Sequence, residues 1–117
     1  MKLVFDAVKV DCAQAMDGEL RKVTFDASLS DDETDRQDPY FSIGRNFEFP
    51  SGPSVEWHDG ENYSGGGVVT ALTLDRNRIV LRTNLSDSFF ITFTTSDSEF
   101  NELRRNLEII MRITGHE

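Results

Sequence analysis

The sequence has few of the residues that mark common chemical sites. Its 117 residues include one cysteine, two histidines and three prolines. The single Cys12 excludes an internal disulfide. No apolar run approaches the roughly 18 residues that a membrane-spanning helix needs. Asp6 interrupts the first apolar run where a signal peptide would continue, so we expect a cytoplasmic protein.

Basic residues are scarce in the first half of the chain, and the formal net charge is −9. Residues 1–66 carry 14 Asp and Glu against 6 Lys and Arg, whereas residues 67–117 carry 7 against 6. An acidic surface repels phosphate, which argues against nucleic acids and anionic membranes as partners. A basic protein is a compatible partner, although solubility alone also explains an excess of acid.

Alternating apolar and polar residues predict about six or seven strands. The predicted strands cover residues 2–10, 19–27, 39–45, 54–58, 68–74, 78–82 and 88–94. The first two are expected to pair as a hairpin, and residues 61–67 are expected to be a Gly-rich loop. Asp75-Arg76-Asn77 predicts a three-residue hairpin loop with a left-handed Asn77.

The pattern changes to a helical period near the C-terminus. Ser96 and Glu99 have the spacing of a capping box. A stripe at spacings of three and four follows: Phe100, Leu103, Leu107, Ile110 and Met111. Gly115 is expected to stop the helix. The class is therefore α+β, a single domain over 1–117 with a mostly antiparallel meandering sheet and one C-terminal helix packed on it.

No residue pattern indicates catalysis or cofactor binding. The two histidines, His58 and His116, have no ligand spacing to each other or to Cys12. A catalytic His58 is less favoured than a surface histidine on a strand, and residues 65–67 open a strand rather than the helix that a phosphate-binding loop requires. We therefore expect no enzyme, no metal site and no cofactor.

Three segments resemble a family of bacterial immunity proteins. They are PYFSIGR at 39–45, SVEWHDGENYSGGGVVTALTLDRNRIVLRTN at 54–84, and FFITFTTSDSEFNELRRNLEIIMR at 89–112. The family is immunity protein family ten of the polymorphic-toxin systems. Its middle signature is matched by Glu56, Asp59, Tyr63, Gly65 and Gly66. The His58-Asp59-Gly60 form of the loop and the extra Gly67 depart from it, and the first 38 residues match only in strand pattern and acidity.

The resemblance implies an antidote that binds a cognate toxin protein and blocks it by occlusion. We expect the contact to involve two acidic segments and their aromatic neighbours. The expected contact residues are Asp31, Asp32, Glu33, Asp35, Glu56, Trp57, Asp59, Glu61 and Tyr63. Because Trp57 alternates with Val55, a place in the core is the alternative for its side chain.

Two other classes of function stay open. One is a small enzyme with convergent carboxylates in a sheet cleft. The other is a scaffold or oligomerisation domain without catalysis, including a homodimer formed through Phe47, Phe49 or Phe90.

Overall fold

The computed structural model describes residues 2–15, 20–27, 38–47 and 52–111, which form eight strands and one helix. The elements are β1 Lys2–Ala7, β2 Lys9–Ala15, β3 Leu20–Asp26, β4 Tyr40–Asn46, β5 Ser54–His58, β6 Tyr63–Asp75, β7 Arg78–Thr83, β8 Ser88–Phe93 and α1 Asp97–Ile110. The strand order in the sheet is β1-β8-β7-β6-β5-β4-β3-β2. Every pairing is antiparallel except that of β1 with β8. The α+β prediction is confirmed, with one strand more than expected.

The sheet folds over so that its two halves share one core. Half-sheet A comprises β1, β8, β7 and the C-terminal part of β6, and half-sheet B comprises β2 to β5 and the N-terminal part of β6. The ring centroids of Phe41 on β4 and Phe89 on β8 lie 4.5 Å apart, and those of Phe25 on β3 and Phe93 on β8 lie 5.6 Å apart. These four rings are almost completely buried. Facing aromatic side chains therefore hold the two half-sheets together.

The first predicted strand is in fact two strands, which lie at opposite edges of the sheet. β1 pairs with β8, while β2 forms the hairpin with β3, so the expected hairpin involves only the second of the two. Residues 11–15, expected in a connection, belong to β2. The chain bends at Val8, whose N–H donates to the Asp26 carbonyl. Leu3 and Ala7 face the core before the bend, whereas Val10 packs against it afterwards, so the inward parity changes by one residue.

The Gly-rich stretch is part of a long bent strand and not the expected loop, because β6 begins at Tyr63. Gly65 lies so close to β5 that an added Cβ would sit 2.9 Å from the Val55 carbonyl oxygen. Gly66 has a φ of 102° beside an irregularity in the β5–β6 register. The glycines allow close approach and a bulge where β6 passes from one half-sheet to the other.

The β6–β7 turn is tighter than predicted. Asp75 and Arg78 are the last cross-strand pair, which leaves a two-residue loop. Among the described residues other than glycine, only Ser86 has a positive φ, so the left-handed conformation expected for Asn77 is wrong. On β7 and β8 every second side chain faces the core: Ile79, Leu81, Phe89, Ile91 and Phe93 are buried, and Leu72 and Leu74 of β6 pack against them.

The predicted capping box begins helix α1. The Glu99 backbone N–H donates to Ser96 Oγ at 3.1 Å, and the Ser96 N–H donates to Glu99 Oε1 at 2.8 Å. The helix packs against β2 and β3, with Leu103, Leu107 and Ile110 buried. It ends at Ile110 with Met111 as C-cap. The stop expected at Gly115 lies outside the described residues. Among the described residues no helix is long and apolar enough to cross a membrane.

Candidate binding surface

The two acidic segments predicted to contact a partner begin at the same end of half-sheet B. Ala27 and Pro39 flank the acidic segment 28–37, and the Ala27 N–H donates to the Pro39 carbonyl at 3.0 Å. The next strand brings His58 opposite Tyr40, and their rings stack with centroids 6.0 Å apart. The connections after β3 and β5 therefore leave the sheet side by side. We call this region the acidic end, defined by its exposed carboxylates Asp38, Asp59 and Glu61 together with Tyr40 and His58.

The loop at the acidic end is organised by Asp59. Its Oδ1 accepts the Asn62 N–H at 2.7 Å and the Glu61 N–H at 2.9 Å. The Asp59 N–H donates in return to the Asn62 carbonyl at 3.1 Å. The hydrogen bonds from Asn62 and Glu61, helped by His58, lower the pKa of the Asp59 carboxyl below its usual value. The loop thus holds an ionised carboxylate in a fixed, exposed position.

His58 is a structural neighbour of that loop. Its Nδ1 accepts the Gly60 N–H at 3.0 Å, and its ring lies against Tyr40. The sequence analysis did not name Tyr40 as a contact residue. The signal that could have identified it is its place at the start of a predicted strand, opposite His58 at the end of the next one. Together the two rings form a partly exposed aromatic ledge between the two connections.

Glu56 lies on the outer face of half-sheet B, where its charge is matched. Its Oε1 is 2.6 Å from Lys22 Nζ, and both side chains are partly exposed. Small side chains surround the pair, including Gly44 and Ser42, whose hydroxyl lies 2.9 Å from that of Thr24. A shallow cavity of about 680 Å³ runs over this face. Glu56 is the only carboxylate among the described residues that line it, so convergent carboxylates are not found there.

The remaining predicted contact residues are divided between the core and the undescribed part of the chain. Trp57 is 8% exposed and its ring centroid lies 6.4 Å from that of Phe89. Its side chain is therefore a core residue, the alternative raised from its alternation with Val55. Tyr63 is the first residue of β6. Asp31, Asp32, Glu33 and Asp35 lie outside the described residues.

Among the described residues, two arginines that the sequence analysis did not single out lie at the opposite end of half-sheet B. Arg21 and Arg45 are cross-strand neighbours on β3 and β4, and both reach towards α1. One Arg45 terminal nitrogen donates to the Ile110 carbonyl at 3.1 Å, where the helix ends, and one from Arg21 donates to Asn106 Oδ1 at 3.0 Å. Cations are favourable at a helix C-terminus. The arginines and the acidic end therefore occupy opposite ends of one half-sheet.

The described residues hold no cluster of three or more His, Cys, Asp and Glu side chains able to bind a metal ion. Cys12 is half-buried on β2, and burial, with Glu102 and Asp11 nearby, raises the pKa of its thiol to about 11. A protonated thiol is a poor nucleophile. The arrangement thus offers fixed negative charge beside an aromatic ledge, which is suited to binding a cationic surface.

The chain matches no protein-family model, and a search of curated proteins finds no relative. The resemblance to immunity protein family ten therefore stays a prediction from the quoted segments.

Proposed function

We propose that this protein is an immunity protein, an antidote that binds a cognate bacterial toxin domain through the acidic end and occludes its active site. The observation that carries the proposal is that the two acidic connections, after β3 and after β5, begin at the same end of half-sheet B. The resemblance of residues 39–45, 54–84 and 89–112 to the immunity family supplies the class of partner.

Charge complementarity explains why such an end suits a toxin. Many toxins of these systems are nucleases, and a nuclease site that binds phosphate is basic. A negative surface accelerates docking to a basic site and competes with the nucleic acid for it. Asp59 suits this role because its carboxylate is ionised and held in place before the partner arrives. Preorganisation of this kind lowers the entropic cost of binding.

The test first asks whether a gene next to that of this protein encodes a toxin domain, and it uses that domain as the partner. The toxin domain is mixed with this protein, and complex formation and inhibition are measured at low and high salt. The proposal expects a stoichiometric complex whose association rate falls steeply as salt increases. A complex that does not form, or one that forms without relieving toxicity, would refute the antidote function.

Variants at the acidic end then test the placement of the contact. Asp38→Lys with Glu61→Lys should slow association by roughly tenfold or more, because rim charges act mainly on the association rate. Asp59→Asn separates charge from loop structure, because the amide oxygen can still accept the two loop N–H groups. The matched control is Glu102→Lys with Glu108→Lys, which reverses two exposed charges on α1. An equal loss in the control would move the contact away from the acidic end.

A further inference from the structure

Strand β1 lies at the edge of half-sheet A. Among the described residues β1 is hydrogen-bonded as a strand only to β8, so one side of it is open. Edge strands are commonly protected by a proline, a bulge or a covering element, because their free N–H and C=O groups pair readily with another strand. β1 contains no proline, its register with β8 is regular, and Val4 at its centre is 62% exposed.

We propose that β1 pairs with β1 of a second copy of this chain, antiparallel and centred on Val4. In that register Val4 faces its own symmetry mate and Leu3 lies opposite Phe5. Lys2 lies opposite Asp6, and the two-fold axis produces this pair of opposite charges twice. Residues 2–6 of one copy are thus complementary to residues 6–2 of the other, charge against opposite charge and apolar against apolar. Such self-complementarity is what an isologous interface requires.

The outer face of half-sheet A supports the same register. Val4 lies beside Phe90 on β8, which lies beside Val80 on β7, so the three form an apolar row across the half-sheet. Pairing of two β1 strands joins this row to its copy and covers the exposed Val4 side chains. Lys2 and Asp6 lie in the rows on either side, and both are exposed. Lys2 Nζ lies 4.7 Å from the centroid of the Phe90 ring, and Asp6 Oδ1 accepts a hydrogen bond from the Thr92 hydroxyl at 2.7 Å. Each charged group therefore has a partner on β8 as well as an exposed surface that the second β1 strand can contact.

The charges also explain why a second copy is favoured over an unrelated strand. An unrelated strand must place an acid opposite Lys2 and a base opposite Asp6, whereas a second copy does so by symmetry. Opposite charges directly across an antiparallel pair are stabilising, and like charges there are destabilising. The pairing uses residues of β1 on half-sheet A and none of the residues that define the acidic end, so this inference does not rest on the proposed function.

The experiment uses charge exchange and sedimentation equilibrium of the full chain. Lys2→Asp alone and Asp6→Lys alone each create two like-charged pairs, and each should weaken the dimer by roughly tenfold or more. The double variant Lys2→Asp/Asp6→Lys restores opposite charges and should dimerise like the original protein. An equimolar mixture of the two single variants should form a heterodimer, visible by native mass spectrometry.

Matched controls distinguish this interface from general charge effects. The control variants are Arg82→Asp and Asp75→Lys. Arg82 is in the same cross-strand row as Lys2 but two strands from the edge, and Asp75 on β6 is in the same row as Asp6. Neither should change the dissociation constant. A protein that stays monomeric at high concentration, or single variants that fail to form the mixed dimer, would overturn the proposal.

Amide hydrogen exchange gives a second measurement that needs no variant. The β1 amides that are not bonded to β8 should become more protected as the concentration of the protein rises. Protection that is independent of concentration, or that appears only when a different protein is added, would also overturn the self-pairing.

Discussion

The two half-sheets have similar inner faces and different outer faces. Both present alternating apolar residues inward, and Phe41 of one contacts Phe89 of the other. The outer face of half-sheet A carries the apolar row Val4, Phe90 and Val80, whereas that of half-sheet B carries small residues and the ion pair of Lys22 with Glu56. The inner faces determine the fold, and the outer faces and their ends distinguish the surfaces available to partners.

Their edges differ as well. The helix packs against β2 and β3 of half-sheet B, and Arg21 and Arg45 fasten it there. β1 of half-sheet A keeps an open side within the described structure. One half-sheet therefore presents a charged end beside a fixed helix, and the other presents a strand edge.

The largest expected effect breaks the core that the half-sheets share. Phe89→Ala should lower the free energy of unfolding by about 3–5 kcal/mol, because Phe89 is fully buried between Phe41 and Trp57. Phe90→Ala, the neighbouring residue on the outer face, should cost no more than about 1.5 kcal/mol. Urea denaturation followed by circular dichroism measures both. Equal losses would contradict the assignment of opposite faces.

A second prediction uses Cys12 to report how firmly the helix covers half-sheet B. The pKa of its thiol is raised from 9.0 to about 11, so the native thiolate population at neutral pH should be roughly 100-fold below that of the unfolded chain. Alkylation by iodoacetamide should slow by a similar factor in the native protein. A native rate equal to the rate in urea would show that the thiol is not covered. Leu103→Ala, which loosens the buried helix face, should bring the two rates closer.

The smallest effect concerns the start of the helix. Ser96→Ala should lower stability by about 1 kcal/mol at neutral pH through the loss of the N-cap.

The capping box also makes stability depend on pH. The hydrogen bond from the Ser96 N–H lowers the pKa of Glu99, so the contribution of Glu99 to stability is present above its unfolded pKa and is lost as the pH falls through its folded pKa. Glu99→Gln should therefore flatten the acid side of the stability profile, measured by urea midpoints at several pH values. Glu108→Gln, an exposed helix acid, serves as the control and should leave that slope in place.

Local patterns were sufficient to predict most of the elements. The alternation over residues 88–94 predicted β8, and the Ser96–Glu99 spacing predicted the start of the helix. Both depend on residues only a few positions apart in the chain.

The errors lie where distant contacts override local preference. Residues 61–67 have the composition of a loop, but pairing with β5 makes residues from Tyr63 onward a strand. Gly65 allows the backbone of this strand to lie close to that of β5. The division at Val8 was not predictable, because a run with apolar residues on both faces does not show where its partner strand changes. The acidic end is another case in which a distant contact decides. Each acidic segment could be recognised in the sequence, but that both begin at the same end of the sheet depends on the pairing of Tyr40 with His58.

The bend at Val8 has a consequence for the order in which the chain folds. β2 finds its partner within a hairpin, whereas β1, only two residues earlier in the chain, pairs with a strand that ends at Phe93. Closing so long a loop is slow compared with forming a hairpin. On the ribosome, the strands of half-sheet B are synthesised before β8, so β1 remains without its partner while those strands can already pair.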